Sequence, residues 1–361
     1  MSEPLEVVTP IRVLIVDDSS SIRCLLSEIL SSDPEIQVVG VAPDAYIARN
    51  KLISLAPDLM ILDVEMPKMD GITFLKKVMQ HFPTPTIIFS SITKGNTELV
   101  AKAYEAGALE VVEKRAVDSP EKIQELARDF ISLIKSLTRS KSKLLTKRKL
   151  TVRGEYKNDR EEGTPSSYSP ILAIASSTGG TEALKVFLSQ MPNDLPGTLI
   201  VQHMPPMFTK TYAQSLQSLC SFEVKEAEDG DQVVAGRVLL APGNYHMELD
   251  RRGAQYYVTL HQHSKLHGVR PAADFLMRSV ARYAGPNSIG VVLTGMGRDG
   301  ADGLLSMKRA GSFNIAQDEN TSVVFGMPKA AIDLAAIHRT LPLERIADEV
   351  MKHFRYKMKA S

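Results

Sequence analysis

From residue 11 to about 137, short, mostly apolar runs alternate with segments whose apolar residues recur every three to four positions. The runs are 11–16, 36–41, 59–62, 86–89 and 109–112. They are too short and too uniformly apolar for half-exposed strands, and they suit parallel strands buried on both faces. The segments between them, such as Ile22, Leu25, Leu26, Ile29 and Leu30, carry the helical period. Five β–α repeats predict a five-stranded parallel sheet covered on both sides. From 169 onward a second α/β pattern begins. Strands are expected at 171–175, 198–201, 288–293 and 313–316, with helices at 182–190, 272–283 and 301–310. The stretch 222–262 is broken by turns at Asp229-Gly230 and Pro242-Gly243-Asn244, and predicts hairpins on the sheet's edge.

Between the two patterns the composition changes. Residues 135–153 hold eight Lys or Arg and no acid, and 154–169 add Gly154, Gly163, Pro165 and four Ser or Thr. This predicts a helix end followed by a polar linker, and divides the chain into domains at 10–136 and 169–361 joined by 137–168. A basic run can also mark a nucleic-acid patch. Here no aromatic residues interleave it, as single-strand binding requires, and no helix-turn-helix signature is legible in 171–361.

The 361 residues are 43% hydrophobic and 24% charged, a composition that supports packed cores and excludes wholesale disorder. Lys plus Arg is 43 against 42 Asp plus Glu, so the net charge of +1 offers no global grip on nucleic acid or membrane. Cys24 and Cys220 cannot form a disulfide framework. With no signal-peptide pattern and no apolar run of about 20 residues, a cytoplasmic protein without membrane insertion is expected.

The chemistry gathers at strand ends, where open parallel sheets place their sites. The first strand ends in Asp17-Asp18 and the third in Asp63. Three carboxylates in one crevice need a cation, and hard oxygen ligands suit Mg²⁺. Ser90 ends the fourth strand and Lys114 follows the fifth. Together these make a site for accepting a phosphoryl group. Asp17-Asp18 before Ser19 could alternatively cap a helix. In the second domain the strand 171–175 runs into Ser176-Ser177-Thr178-Gly179-Gly180, a strand-to-helix turn of the kind that exposes a nucleophilic serine. The next strand ends in Gln202-His203, and a later one in Thr294-Gly295-Met296-Gly297-Arg298-Asp299. Ser, His and Asp on three strand ends supply nucleophile, base and orienting acid. A phosphate-cradling turn remains the alternative for the glycine-rich segment. His261, His263 and His267 form a weaker metal-site candidate, and Arg270 beside them is a candidate for binding an acidic substrate.

The first half resembles a response-regulator receiver domain, in VLIVDDSSSIR (13–23), LDVEMPKMDG (62–71) and FSSIT (89–93). The resemblance implies a flavodoxin-like fold, Asp63 as phospho-acceptor, Mg²⁺ held by Asp17, Asp18 and Asp63, and Ser90 with Lys114 as the phosphate-sensing pair. Arg115 stands where receivers usually have Pro, and Val111 where they usually have the switch aromatic. The whole chain resembles the chemotaxis protein-glutamate methylesterases (CheB). The matches are AIASSTGGTEAL (173–184), VQHMPPMFT (201–209), LAPGNYHM (240–247), VLTGMGRDGADGL (292–304) and QDENTSVVFGMPKAAI (317–332). That family implies a mostly parallel C-terminal α/β esterase with a peripheral hairpin. It makes Ser177 the nucleophile, His203 the base, Asp299 its partner and the Met296 backbone N–H an oxyanion donor. Ser176 is the alternative nucleophile, and Ala175 replaces the family's glycine ahead of the turn. The implied activity is hydrolysis of glutamyl methyl esters, and deamidation of Gln, on methyl-accepting receptors. The implied partner is a chemotaxis-type sensor histidine kinase, and no cofactor is expected for the esterase step. In the family the unphosphorylated receiver covers the esterase face. A receiver-controlled binding module without turnover is the rival class.

Overall fold

A computed structural model of the chain describes residues 9–91, 97–114, 119–139, 170–204, 206 and 208–360. They separate into two compact units, one within Met1–Thr146 and the other within Lys147–Ser361.

The first unit runs β1 (Ile11–Val16), α1 (Ser20–Ser31), β2 (Ile36–Ala42), α2 (Ala45–Leu55), β3 (Leu59–Leu62), α3 (Gly71–His81), β4 (Thr86–Ser90), α4 (Thr97–Glu105), β5 (Glu110–Glu113) and α5 (Pro120–Arg139). Its five strands pair in parallel in the order β2-β1-β3-β4-β5. The order reverses between β1 and β3, which opens a crevice beyond their carboxyl ends. All four residues of β3 are buried, as its uninterrupted apolar run requires. Helix starts are set by polar caps. Ser19 Oγ accepts from Ile22 N at 3.4 Å, and Asp44 Oδ1 accepts from Tyr46 N and Ile47 N. Ser19 is therefore the α1 cap, and Asp17 and Asp18 are left for other work. The basic run divides. Lys135 lies inside α5, within 2.7 Å of Asp33 and 3.0 Å of Glu35, so its charge pins α5 to the α1–β2 turn. Arg115 and 140–153 lie outside the described residues.

The second unit comprises β6 (Ile171–Ser176), α6 (Gly180–Leu188), β7 (Gly197–Gln202), α7 (Phe208–Gln217), β8 (Glu223–Glu226), β9 (Gln232–Val233), β10 (Arg237–Leu240), β11 (His246–Arg252), β12 (Gln255–His261), α8 (Ala273–Tyr283), β13 (Ser288–Val292), α9 (Ala301–Arg309), β14 (Phe313–Gln317), α10 (Met327–Asp333), β15 (Arg339–Leu341) and α11 (Leu343–Ala360). Seven strands form a parallel sheet in the order β15-β14-β13-β6-β7-β10-β8. The 222–262 stretch is only partly hairpin. β8 and β10 add to the main sheet as parallel strands, while β11 and β12 form an antiparallel hairpin that β9 extends into a separate three-stranded sheet. The core between the seven-stranded sheet, α8, α9 and this small sheet includes Leu276, Met277, Val280, Val292, Leu304 and Val258. Each such fully buried side chain contributes roughly 1.5–3 kcal/mol. The core fixes β13, β6 and β7 side by side, with the order reversing between β6 and β13.

Candidate functional site

In the first unit the reversal point brings the expected acids together. Asp17 and Asp63 are buried, Asp18 is exposed, and one carboxylate oxygen from each lies within 4.8 Å of the others. Lys114 Nζ sits 2.8 Å from both Asp17 Oδ2 and Asp63 Oδ2. Burial opposes the lysine's charge, but its two carboxylate partners outweigh that and hold its pKa above the ordinary value. Asp63 moves the other way from most carboxylates. Burial and the neighbouring Asp17 raise its pKa against the pull of Lys114. Ser90 Oγ is buried beside them with no hydrogen-bond partner among the described residues. Arg23 Nη1 donates to the carbonyls of Asp17 (2.7 Å) and Asp18 (2.9 Å), fixing the acidic loop. An orphaned hydroxyl, a cation and three hard-oxygen donors fit a divalent cation with a phosphoryl group. Val111 is half-buried on β5, opposite Ile88.

In the second unit Ser176 and Gln202 are register partners at the ends of β6 and β7, so Ser177 and His203 leave adjacent strands on one rim. His203 N donates to Ser176 O at 3.1 Å and closes the gap. Ser177 N donates to Thr294 O at 3.0 Å, joining the turn to the loop after β13. That loop comes so close that a Cβ on Gly295 would lie 2.9 Å from Ser177 Cβ, so only glycine fits there. Gly295 O accepts from Gly326 N and Met327 N, which holds the segment around Met296 from behind.

Asp299 Oδ2 lies 2.7 Å from His203 Nε2. It also accepts from Ala273 N (2.6 Å), and its Oδ1 accepts from Asp274 N (3.1 Å), the first turn of α8. Burial alone would raise this carboxyl's pKa. The His203 bond and the two N–H donors outweigh it and hold the pKa below the ordinary value. An ionised carboxylate can only accept, so His203 carries its proton on Nε2 and presents Nδ1 as the basic nitrogen.

The two candidate serines are distinguished by their surroundings. Ser176 is fully buried, and its hydroxyl donates to Gln202 Oε1 at 2.7 Å. Ser177 is half-buried at the rim. Gln202 Nε2 in turn donates to Ser177 O (2.9 Å) and His203 O (3.1 Å). This amide links the Ser177 turn to His203 at the end of β7. Its Oε1 and Nε2 were invisible to motif reading because their partners are a neighbouring hydroxyl and two carbonyls. Ala175 lies inside β6, fully buried, rather than in the turn, so its methyl belongs to the core.

The other candidates resolve differently. His261, His263 and His267 do not converge. The His261 ring stacks near His263 and His246, and His267 Nε2 instead meets Asp274 Oδ2 at 2.8 Å. Arg270 is committed within the chain, donating to Asn244 Oδ1, Gln262 O and His263 O. Its geometry is that of a loop clamp rather than of an anion receptor. No described helix is long and apolar enough to cross a membrane.

Comparison with known proteins agrees with this geometry. Residues 172–350 match the CheB methylesterase family model, and 13–128 the response regulator receiver domain model. The chain is 56% identical over 342 residues to a protein-glutamate methylesterase/protein-glutamine glutaminase of Bdellovibrio bacteriovorus, covering 95% of this chain and 97% of that one. It is 46% identical over 342 residues to one from Syntrophus aciditrophicus, covering 95% and 98%. The crystal structure of the Thermotoga maritima CheB methylesterase catalytic domain is 39% identical, with a TM-score of 0.50, covering 51% of this chain and 98% of that one. With strand ends, register and relatives in agreement over nearly its full length, the chain belongs to the protein-glutamate methylesterase/protein-glutamine glutaminase family, a receiver domain joined to a CheB methylesterase domain.

Proposed function

We propose that the second unit is a serine esterase in which Ser177, His203 and Asp299 act as one unit, and that the first is its phosphorylation switch. The observation that supports the reading is the 2.7 Å contact between His203 Nε2 and Asp299, in the segments that follow β7 and β13 on either side of β6. Ser177 Oγ attacks the glutamyl ester carbonyl, and its proton passes to His203 Nδ1. The imidazolium that forms is stabilised by Asp299. The Met296 N–H donates to the oxyanion, one such donor being worth roughly 3–4 kcal/mol. The tetrahedral intermediate collapses, the carbonyl carbon–methoxy bond breaks, and His203 returns the proton to methoxide, releasing methanol. Water then attacks the acyl-Ser177, again giving a proton to His203, and the glutamate side chain and Ser177 hydroxyl are restored. With a Gln substrate the same steps release ammonia. No cofactor enters this reaction.

In the receiver, Asp63 accepts the phosphoryl group. Mg²⁺ would be held by Asp17, Asp18 and Asp63, where it offsets the charge of the transferred phosphoryl group. Lys114 and Ser90 are set to bind the phosphoryl oxygens, the first by charge and the second through its unspent hydroxyl. The phosphodonor is a chemotaxis-type histidine kinase, the substrate is a methyl-accepting receptor, and the setting is the cytoplasm. The domains run 10–136 and 169–361 with 137–168 between them. Methanol release from methylated receptor, with and without a small phosphodonor and Mg²⁺, tests the reading. Turnover that rises with phosphorylation supports it. No turnover in either state would favour a receptor-binding module instead.

A further inference from the structure

Asp299 is held by more than the histidine it orients, and the second support lies one residue along α8. Asp274 is fully buried, yet it carries a carboxylate. Its Oδ1 accepts from Gly303 N in the first turn of α9 at 2.6 Å, and its Oδ2 accepts from His267 Nε2 at 2.8 Å. Arg278 Nη2 stands 3.9 Å away on the same helix. The Asp274 backbone N–H meanwhile donates to Asp299 Oδ1. One residue thus binds Asp299 through its main chain and the helix that follows Asp299 through its side chain.

The packing around it is close. A Cβ on Gly303 would lie 2.6 Å from Met277 Cβ and 3.1 Å from Asp274 Oδ1, so α8 and α9 approach at a distance only glycine permits. His267 is reached by a tight loop in which Leu266 and Val269 exchange both backbone hydrogen bonds. It sits at φ +53°, a left-handed conformation that is strained for a residue other than glycine. Backbone strain of this kind persists where the surroundings over-determine it. The Asp274 contact is such a determinant. Oxygens of Asp274 and Asp299 lie within 4.8 Å of each other and of the His267 ring. Two buried carboxylates so close repel, and what offsets them is the N-terminal N–H groups of two helices and two imidazoles. Each of the four carboxylate oxygens already accepts an N–H, which leaves the cluster to positioning rather than to a cation.

We propose that Asp274, anchored by His267, is a positioning residue of the esterase: it ties the first turns of α8 and α9 together and thereby fixes Asp299 against His203. This rests on the reading of His203 and Asp299 given above. Asp274 touches neither substrate nor the reacting atoms. Its loss lets Asp299 drift, and a misplacement of about 1 Å costs on the order of 100-fold in rate.

The test uses the full chain and two readouts. The first is the downfield proton resonance of His203 Nε2–H, assigned with His203→Gln and abolished by Asp299→Asn. The second is kcat and KM for methanol release. In Asp274→Ala the resonance should move towards that of an ordinary imidazole, and kcat should fall roughly 10- to 100-fold with KM within twofold. Asp274→Asn keeps an oxygen for Gly303 N, and its amide N–H can donate to His267 Nε2 once that ring carries its proton on Nδ1, so it should restore the resonance and most of kcat. His267→Ala removes one anchor, and should lower kcat about fivefold with a smaller resonance shift. Should Asp274→Ala fail to fold, these two variants carry the test. A wild-type resonance and kcat in His267→Ala, or in folded Asp274→Ala, would overturn the inference. So would equal loss in Asp274→Asn and Asp274→Ala. A wild-type spectrum indifferent to Asp299→Asn would instead overturn the His203–Asp299 reading itself, and this inference with it.

Discussion

Replacing Gln202 with Met keeps the length of the side chain and removes its amide. In the native chain that amide accepts from Ser176 Oγ and donates to the carbonyls of Ser177 and His203, while the residue is 3% exposed. Ser177 O retains one partner, Gly180 N at 2.7 Å. The Ser176 hydroxyl and the His203 carbonyl lose the partner described above. Each buried polar group left unsatisfied costs about 1–3 kcal/mol, so two give a loss of about 2–6 kcal/mol. Against a typical domain stability of 5–15 kcal/mol that is a large fraction, which denaturation reads directly. The functional loss has a separate origin. The amide sets the spacing between the Ser177 turn and His203, and a shift of about 1 Å costs on the order of 100-fold. Urea denaturation followed in the full chain, with methanol release on the same preparation, reads both. Ser176→Ala in the same background completes a double-mutant cycle, with an expected coupling of 0.5–3 kcal/mol. A Gln202→Met protein with less than about 1 kcal/mol lost and kcat within twofold of wild type would refute the idea that this amide joins the two strand ends.

Asp63→Asn should abolish labelling by a small phosphodonor with Mg²⁺, and equal labelling of wild type and variant, by intact mass, would remove Asp63 as acceptor. Groups that act as a unit are non-additive, so His203→Ala added to Ser177→Ala should cost little further turnover in a single-turnover assay. The Asp299 carboxyl, held below its ordinary value of 3.8, stabilises the fold in full above that value, and its contribution is lost as pH falls through the lower native pKa. The stability difference between wild type and Asp299→Asn should therefore shrink as pH falls below the ordinary value of 3.8 in denaturant titrations. A chain beginning at Ser169 should turn over methylated receptor faster than the unphosphorylated full-length protein, and equal rates would leave receptor targeting as the receiver's role.

What could be read from sequence follows from how each feature is encoded. Buried parallel strands such as β3 and β6 announce themselves because every position of the first, and every position of the second before Ser176, is apolar. Strand ends follow once the strands are known, which is why the positions of Asp63, Ser177 and His203 just beyond β3, β6 and β7 were legible. β8 and β10 were not legible as parallel strands: Glu223–Glu226 is mostly polar, and it reaches the main sheet through β10, which in turn pairs with β7. The seven-stranded order skips over β9, and nothing local in the chain encodes that. Beyond residue 316, β15 is only three residues long and carries no period of its own, whereas α11 places Ile346, Val350 and Phe354 at helical spacing and is readable as a helix. Lys135 was lost in a charge run, although its partners lie a hundred residues earlier at Asp33 and Glu35. Gln202 and Asp274 were missed for a shared reason. Their roles depend on backbone groups of distant segments, which carry no side-chain signature. Arg270 misled in the opposite sense, since a basic residue beside a candidate site looks like a substrate anchor until Asn244 is seen holding it.

The central claim is that Ser177, and not the hydroxyl beside it, performs the ester and amide chemistry. Methanol from methylated receptor and ammonia from its Gln form should be measured with wild type, Ser177→Ala and Ser176→Ala full-length proteins, each phosphorylated to the same extent. The account predicts that Ser177→Ala releases neither product, while Ser176→Ala, which loses only a hydrogen bond to Gln202, keeps a measurable share of both activities. Near-normal release by Ser177→Ala, or its loss in Ser176→Ala alone, would contradict it.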